Sequence, residues 1–370
     1  ASDIHLEPGE KDVRIRFRID GVLRQVTPPP KRLYPAIVTR LKILSEMDIS
    51  ERRLPLDGRL KFRVFSREID VRVSSLPLVN GEKIVMRILD RGSLVVDMAK
   101  IGFDPKMLSR FQRVLQEPNG IILLTGPTGS GKTTTLYSAL SYLNHPDVNI
   151  QTVEDPVEYV LEGINQTHVR AKIGMTFASA LRAILRQDPD ICLIGEIRDE
   201  ETARIAMQAS LTGHLVLSTL HTNDAPSSFS RMRDIGVEPF LVAATVKLVI
   251  AQRLIRLICK FCKQETTLGD EQREILGNVC PEALNWTFYK GAGCDACNHT
   301  GYKGRQGVFE FLEVTNPIRQ LILQKAGDVT VREEAIKQGM ETLVVNSLRK
   351  LKDGVSTLEE VMAVWPMEDE

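Results

Sequence analysis

The sequence has 370 residues, enough for two or three domains, and 43% of them are hydrophobic. Lys and Arg total 48, Asp and Glu also total 48, and the formal net charge is zero, which argues against a protein that coats nucleic acid or an anionic membrane through charge. No apolar run approaches the about 18 residues that a membrane-spanning helix needs, and no signal-peptide pattern opens the sequence.

The first 92 residues have the pattern of a small α+β domain. Residues 13–19 alternate apolar and arginine side chains, as a half-buried strand does, and Asp20-Gly21 predicts a turn into a strand over 22–26. A helix is predicted over 33–47, followed by strands over 59–64, 67–73 and 83–89. Because the sequence begins Ala-Ser-Asp without a Met, we expect a fragment of a longer protein.

From residue 105 the predicted elements alternate between strand and helix, which is typical of a parallel α/β sheet. The predicted core strands are 121–125, 149–153, 191–194 and 215–220. Helices are predicted near 132–143, 176–187, 199–210 and 227–235. The patterns together predict an N-terminal domain over 1–92, a linker over 93–104, a core over 105–255, a four-cysteine module over 256–306 and a helical region over 307–370.

A glycine-rich segment after the first core strand matches G-x-x-x-x-G-K-[ST]. In such a loop the backbone N–H groups point at phosphate oxygens, and the following helix adds its positive end. A plain glycine turn is the alternative, but the apolar strand before the segment and the helix after it favour a site for ATP and Mg²⁺. Lys132 is expected to reach the β- and γ-phosphates, and the hydroxyl of Thr133 to bind Mg²⁺. The predicted nucleotide-binding residues are Gly126, Pro127, Thr128, Gly129, Ser130, Gly131, Lys132, Thr133 and Thr134.

Polar side chains follow the other three core strands, at the edge where ligands of parallel sheets bind. Glu154 follows the second strand, Glu196 the third and His221 the fourth. A single carboxylate after a strand is more often a solvated turn residue or a helix cap, but this convergence favours a function. Glu196 is the expected group to polarise the attacking water, although Gly195 stands where such motifs usually carry Asp.

Two histidines bracket the fourth core strand. At about 3.3 Å per residue, His214 and His221 lie about 23 Å apart, so they cannot both contact one phosphate within a subunit. His221 lies at the ligand edge and could sense the γ-phosphate. We expect His214 to be structural or to act across a subunit boundary.

Four of the six cysteines form two Cys-x-x-Cys pairs, a spacing that predicts a tetrahedral zinc site. Because four protein ligands leave no open position, the zinc would be structural; these ligands are Cys259, Cys262, Cys294 and Cys297. Basic residues around the module are expected to be solvated or to contact protein, since aromatic residues are not interleaved with them. Cys192 is expected inside a core strand, and Cys280 has no predicted role.

With these motifs the sequence resembles the secretion ATPase superfamily, in particular the branch that contains type II secretion ATPases (GspE) and type IV pilus assembly ATPases (PilB). The resemblance covers essentially all 370 residues. Beyond the phosphate loop and the cysteines, the matching motifs are residues 1–5, 152–158, 181–190, 195–199, 212–214, 218–223 and 356–361.

This resemblance implies a RecA-like P-loop ATPase core, a smaller PAS-like N-terminal α+β domain and a C-terminal zinc-binding and helical region. It implies a homo-hexamer on the cytoplasmic face of the bacterial inner membrane, attached through platform proteins and without direct contact to nucleic acid. It also implies that Arg72, Arg87 and Arg182 reach the nucleotide phosphates. From the residues alone, these arginines would be the polar face of a strand or helix.

The expected function is therefore ATP hydrolysis that powers protein export by a type II secretion system. Residues 183–189 and 208–214 look more like that branch, and the alternative is type IV pilus assembly. A RecA-like motor that acts on nucleic acid is a further alternative, against which the balanced charge speaks. A scaffold that binds ATP without useful turnover is another.

Overall fold

The computed structural model describes residues 1–64, 67–89 and 97–365, and the chain divides into two compact units, Ala1–Leu94 and Val95–Glu370. Residues 93–96 of the predicted linker lie outside the described residues. The rest of that linker includes a short 3-10 helix over Met98–Lys100, where the side chain of Asp97 accepts a hydrogen bond from the backbone N–H of Ala99 at 3.0 Å. This part of the linker is thus a capped turn rather than extended chain.

The first unit is an antiparallel sheet with one helix packed on it. Its elements are β1 (Asp3–Pro8), β2 (Val13–Ile19), β3 (Val22–Val26), α1 (Tyr34–Leu44), β4 (Leu56–Val64), β5 (Arg67–Leu78) and β6 (Gly81–Leu89). The strands follow the spatial order β3-β2-β1-β6-β5-β4. Apolar side chains from one face of the sheet, among them Leu6 and Ile84, pack against Tyr34 and Val38 of α1 and form the core of this unit.

The second unit is built on a seven-stranded sheet. Its strands are β7 (Gly120–Thr125), β8 (Ile150–Glu154), β9 (Asn165–His168), β10 (Ile191–Ile194), β11 (Leu215–Leu220), β12 (Val246–Ile258) and β15 (Tyr302–Glu313), while β13 (Lys263–Thr266) and β14 (Phe288–Gly291) form a separate two-stranded sheet. The main sheet has the order β15-β12-β7-β11-β10-β8-β9, and only β15 runs antiparallel to its neighbour. Every residue of β7, β10 and β11 is buried, as expected for parallel strands covered on both faces.

The helices of the second unit are α2 (Pro105–Leu115), α3 (Lys132–Leu143), α4 (Phe177–Ile184), α5 (Glu200–Leu211), α6 (Ser227–Asp234), α7 (Pro239–Thr245), α8 (Asp270–Val279), α9 (Asn316–Leu323), α10 (Asp328–Lys337), α11 (Leu343–Lys352) and α12 (Leu358–Met362). Aspartates begin two of them: Asp104 caps α2 and Asp199 caps α5 through backbone N–H groups. Among the residues described, none of the helices combines the length and the apolar composition that crossing a bilayer requires.

Two long strands extend the sheet beyond the predicted core. β12 crosses the predicted boundary between the core and the four-cysteine module at 255/256. β15 crosses the predicted boundary between that module and the C-terminal helical region at 306/307. Both regions therefore contribute residues to the main sheet. Neither strand was predicted, because a long apolar run such as 246–258 does not by itself separate a buried strand from a buried helix. β1 was also missed, since its buried Asp3 and Glu7 interrupt the apolar pattern.

Candidate functional site

The phosphate loop joins the end of β7 to the start of α3, at the carboxyl edge of the main sheet. Gly126 and Gly131 have φ angles of 146° and 88°, in the region that favours glycine. They also lack room for a side chain: a Cβ on Gly126 would lie 2.5 Å from the carbonyl oxygen of Gln252, and one on Gly131 would lie 2.8 Å from Gln252 Nε2. The first and last glycines of the motif therefore allow β12 to pack closely against the loop.

The loop presents unused donors to an anion. The N-cap of α3 is Gly131, and no side chain caps the helix, so the N–H groups of its first turn and its positive end are available for phosphate oxygens. Ser130 Oγ is buried and has no hydrogen-bond partner within the described residues. Pro127, Thr128 and Thr133 are exposed, and Thr134 is half-buried. These features fit a bound nucleotide, with the Thr133 hydroxyl accessible to a metal ion.

Lys132 folds back onto its own loop. Its side-chain Nζ donates hydrogen bonds to the carbonyl oxygens of Gly126 at 2.5 Å and Pro127 at 3.2 Å, and only 8% of the residue is exposed. Burial and the nearby Arg253 charge lower the pKa of Lys132 to about 8, against an opposing contribution from Glu196. Phosphate oxygens are stronger acceptors than these carbonyls, so a bound nucleotide would favour release of the ammonium group towards the phosphates.

Glu196 lies in the turn after β10 and is 9% exposed. Its Oε2 is 2.5 Å from Nε of Arg198 and 3.4 Å from Nε2 of His221. Because the charge of Glu196 also acts on the Lys132 ammonium, this carboxylate and the phosphate loop share one electrostatic environment. The structure thus places two predicted catalytic side chains, Glu196 and His221, side by side, and adds Arg198 as an unforeseen partner.

Glu154 is buried at the end of β8, beneath α3. Its carboxyl group accepts hydrogen bonds from Thr152 Oγ1 at 2.6 Å, from Gln166 Nε2 at 3.1 Å and from the hydroxyl of Tyr137. Burial raises the pKa of Glu154, and these three donors oppose that rise. In the sheet order, β10 and β11 separate β8 from β7. A catalytic role for Glu154 would therefore require it to exchange these interior bonds for substrate.

The three predicted arginines lie in two different places. Arg182 on α4 pairs with Glu201 on α5, with 2.5 Å between Nη2 and Oε1. Arg72 and Arg87 belong to the first unit, where they lie directly opposite each other on β5 and β6 and so share one face of that sheet. Arg87 Nε lies 3.0 Å from Oδ1 of Asp3. The structure thus groups Arg72 with Arg87 and places Arg182 in the second unit.

His214 lies at the opposite end of β11 from His221. Its Nδ1 is 2.8 Å from the carbonyl oxygen of Ala209, an arrangement typical of a structural histidine.

The sequence analysis did not identify Tyr137 or the β12 residues that flank the phosphate loop. Their neighbours come from distant parts of the chain, so only the order of the strands reveals them.

The four paired cysteines converge at the place where the chain leaves and re-enters the main sheet. Their Sγ atoms all lie within 4.8 Å of one another, and three of the pairs are 3.8 to 3.9 Å apart. Ligands at the usual zinc–sulfur distance of about 2.3 Å would be separated by about 3.8 Å in a tetrahedron. The backbone N–H groups of Cys294 and Gly301 approach Cys297 Sγ at 3.2 and 3.3 Å, as suits a thiolate. The donor set therefore fits a closed metal site.

The remaining cysteines lie apart from this cluster. Cys192 is buried in β10, as predicted from the apolar strand, and burial raises the pKa of its thiol to about 12. Cys280 is half-buried at the end of α8. A thiol with so high a pKa is almost wholly protonated near neutral pH, so Cys192 packs as a small apolar residue.

Comparison with known families gives one match over nearly the whole chain. A family model described as "Type II/IV secretion system protein" matches residues 1–363. The type IV pilus assembly ATPase PilB of Myxococcus xanthus (strain DK1622) is 53% identical over 364 residues, which cover 98% of this chain and 64% of that protein. The type II secretion system ATPase E of Vibrio cholerae serotype O1 is 48% identical over 364 residues, which cover 98% of this chain and 72% of that protein. The chain thus spans less than two thirds of the Myxococcus relative.

Solved structures resemble the fold over the same extent. The X-ray structure of the Legionella pneumophila ATPase DotB aligns with a TM-score of 0.72 at 19% identity and covers 98% of this chain and 91% of that one. The pilus retraction motor PilT, solved with bound ADP, aligns with a TM-score of 0.63 at 26% identity, and the alignment covers 99% of this chain and 93% of that one. The predicted fold class, a P-loop α/β core with a smaller N-terminal unit and a C-terminal cysteine and helical region, is confirmed.

Proposed function

The chain belongs to the type II/IV secretion system protein family, and on that premise we propose that it is an ATP-hydrolysing motor that works as a homo-hexamer. The observation that carries this proposal is the phosphate loop over 126–133, whose Lys132 shares an electrostatic environment with the buried carboxylate of Glu196. Relatives named as ATPases support it. A loop that served only as a turn would not need a buried lysine and an uncapped helix end together.

In this proposal the loop backbone and the first turn of α3 hold the β- and γ-phosphates. Lys132 exchanges its two carbonyl partners for phosphate oxygens and stabilises the charge that develops on the transferred phosphoryl group. Thr133 would bind Mg²⁺, which neutralises phosphate charge when it is present. Arg72, Arg87 and Arg182 are proposed to add positive charge in the assembled hexamer, and the Arg182–Glu201 ion pair would then have to open.

Glu196 is the proposed group that orients and polarises the attacking water. Its Oε2 lies 2.5 Å from Nε of Arg198, an ion pair that would hold the side chain in one orientation towards the water. His221, at 3.4 Å from the same oxygen, is proposed to sense the γ-phosphate. Glu154 is proposed to contribute from beneath α3, after it exchanges its interior hydrogen bonds.

We propose zinc as the metal of the four-cysteine cluster and a structural role for it. Four thiolates leave no open coordination position, so the ion would fix the chain and take no part in hydrolysis. The surrounding strands would be held at their point of exit from the main sheet.

The cellular process is proposed as type II secretion or type IV pilus assembly, with the motor in the cytoplasm and attached to the inner membrane through platform proteins. The two kinds of relative are similar to this chain to a comparable degree, at 48% and 53% identity. The sequence-based preference for type II secretion therefore has no support over the alternative. Deleting the gene and scoring both secreted enzymes and surface pili would separate the two processes.

The test of the ATPase proposal is steady-state turnover of Mg-ATP by the assembled protein, together with nucleotide affinity. We expect Lys132→Ala to abolish turnover and Glu196→Gln to bind ATP yet hydrolyse it at least about 100-fold more slowly, a typical loss for a positioned base. Lys106→Ala, at an exposed lysine on α2, serves as the control. Full hydrolysis by the Glu196→Gln protein would refute the role of this carboxylate, and full hydrolysis by Lys132→Ala would refute the site.

A further inference from the structure

β12 extends past the end of β7 at the edge where the phosphate loop begins. In the register between these parallel strands, Ala251 pairs with Thr125, the last residue of β7. The next two residues of β12, Gln252 and Arg253, therefore lie beside the loop. Gln252 is buried, and its Oε1 accepts a hydrogen bond from Thr135 Oγ1 of α3 at 2.9 Å. The middle of β12 thus contacts both the loop and the helix that follows it.

The guanidinium group of Arg253 connects the loop to another segment. Its Nη1 is 3.0 Å from the position that a Cβ on Gly126 would take, so it packs against the first glycine of the motif. It donates a hydrogen bond from Nη1 to the carbonyl oxygen of Gln252 at 3.1 Å and from Nη2 to that of Asn223 at 2.7 Å. Asn223 lies two residues after His221, so Arg253 joins the start of the loop to the segment after β11.

That segment, residues 222–225, is anchored by further bonds. The backbone N–H of Thr222 donates to Thr125 Oγ1 at 2.8 Å, and the backbone N–H of Ala225 donates to Glu310 Oε1 of β15 at 2.8 Å. Asp224 forms an ion pair with Arg332 of α10. Because the segment is held on these sides, the carbonyl oxygen of Asn223 is a fixed acceptor for Arg253.

The charge of Arg253 lies close to that of Lys132. Within the described residues, the hydrogen bonds of Arg253 go to carbonyl oxygens, while Asp224 and Glu310 act on it only through longer-range attraction. Its positive charge also disfavours protonation of Lys132. Two partly buried cations at one loop repel each other, and a bound polyphosphate would relieve that repulsion.

We propose that Arg253 is a positioning residue of the phosphate loop, which holds Gly126 and the segment 222–225 in one arrangement and adds positive charge for nucleotide phosphates. This inference rests on the proposed nucleotide binding. The guanidinium fork matters because it reaches two acceptors at once, which a lysine ammonium on a flexible stem does less well.

The test uses binding of a fluorescent Mg-ADP analogue to the whole protein, with hydrogen exchange of residues 221–226 as a second readout. We expect Arg253→Gln to raise the Kd about tenfold, the size expected for loss of a charged hydrogen bond, and to speed exchange of this segment. Arg253→Lys should recover only part of the affinity. Lys247→Gln, near the start of the same strand and next to Gly120, should bind like the unmodified protein.

An Arg253→Gln protein with unchanged affinity and unchanged exchange would overturn the inference. If that variant does not fold, the decision falls to Arg253→Lys, for which unmodified affinity and exchange would overturn it in the same way. Failure of the Arg253 inference can be distinguished from failure of the proposed nucleotide binding. If the unmodified protein and Lys247→Gln both fail to bind the analogue, the proposed nucleotide site itself is wrong.

Discussion

The buried carboxyl groups of the second unit differ in the partners that compensate them. Glu196 has a guanidinium group at 2.5 Å, whereas Glu154 has three uncharged donors. Glu310 is 3% exposed and accepts hydrogen bonds from the backbone N–H groups of Ala225 and Leu343. Since uncharged donors compensate a buried negative charge less than a cation does, Glu310 holds its proton far more readily than an exposed carboxyl group.

We predict a pH-dependent loss of stability that originates at Glu310. Burial raises the pKa of Glu310 to about 7 from 4.5, so the folded chain binds an extra proton between these values. The protonated Glu310 therefore contributes fully to the free energy of unfolding below pH 4.5, and this contribution is lost as the pH rises through 7. Relative to Glu310→Gln, the unmodified protein should lose about 1–3 kcal/mol of unfolding free energy between pH 5 and 8. Urea denaturation at these pH values measures the difference.

The exposed residue Glu333 provides the control for this measurement. Glu333→Gln should follow the pH dependence of the unmodified protein, because it leaves the buried carboxyl group of Glu310 in place. A constant stability difference between Glu310→Gln and the unmodified protein from pH 5 to 8 would contradict the prediction.

The strand, loop and helix that form the nucleotide site act as one element, and its glycines are not equivalent. Gly126 and Gly129 both have positive φ angles, but a Cβ on Gly129 would meet nothing within 4 Å, while one on Gly126 would overlap the Gln252 carbonyl. Gly129→Ala should therefore cost only the backbone strain, about 1 kcal/mol. Gly126→Ala should cost about 2–4 kcal/mol, because overpacking adds to that strain.

Chemical denaturation of the two glycine variants tests this ranking of stability. Nucleotide titration then measures how each substitution changes binding. We expect Gly126→Ala to lose measurable binding, since the loop must move away from β12 to make room. Equal destabilisation by the two substitutions would show that close packing against Gln252 does not constrain the loop.

The cysteine cluster makes a second prediction at this scale. One zinc ion per chain should be found by metal analysis in the unmodified protein and in Cys280→Ser, whose thiol lies outside the cluster. Cys262→Ser should retain far less zinc and melt at a lower temperature, because metal binding contributes to folding. A strong chelator should lower the melting temperature of the unmodified protein in the same way. Full stability after complete removal of the metal would contradict a structural role.

The elements that could be predicted from sequence are those with a strong local pattern. The buried strands β7, β10 and β11 follow from short apolar runs between helical segments, and the phosphate loop follows from its motif. β12 and β15 could not be predicted in the same way, because local periodicity does not reveal their pairing. That pairing joins residues far apart in sequence, from Ile258 with Tyr302 to Leu248 with Glu313. Arg253 was missed for the same reason, since only the pairing of β12 with β7 brings it to the loop.

At the scale of the whole molecule, the balance of 48 basic and 48 acidic residues bears on the choice of partner. A motor that tracks nucleic acid needs a basic surface, and its affinity falls steeply with salt. We therefore predict that single-stranded and duplex DNA leave ATP turnover unchanged even at low ionic strength. Turnover assays with and without each nucleic acid provide the measurement. Stimulation that disappears at higher salt would instead favour the nucleic-acid motor.

The pairing of β12 with β15 also determines how much the cysteine region can vary. Ile258 pairs with Tyr302, so the 43 residues between them form an insertion at the tip of the β12–β15 hairpin. The four clustered cysteines lie at the base of this insertion. Its length can change without shifting the strand register, and a redesigned protein could replace it with a short turn. Such a design would expose Leu348 and Leu351, which pack against Leu276 of α8, and would need polar residues there.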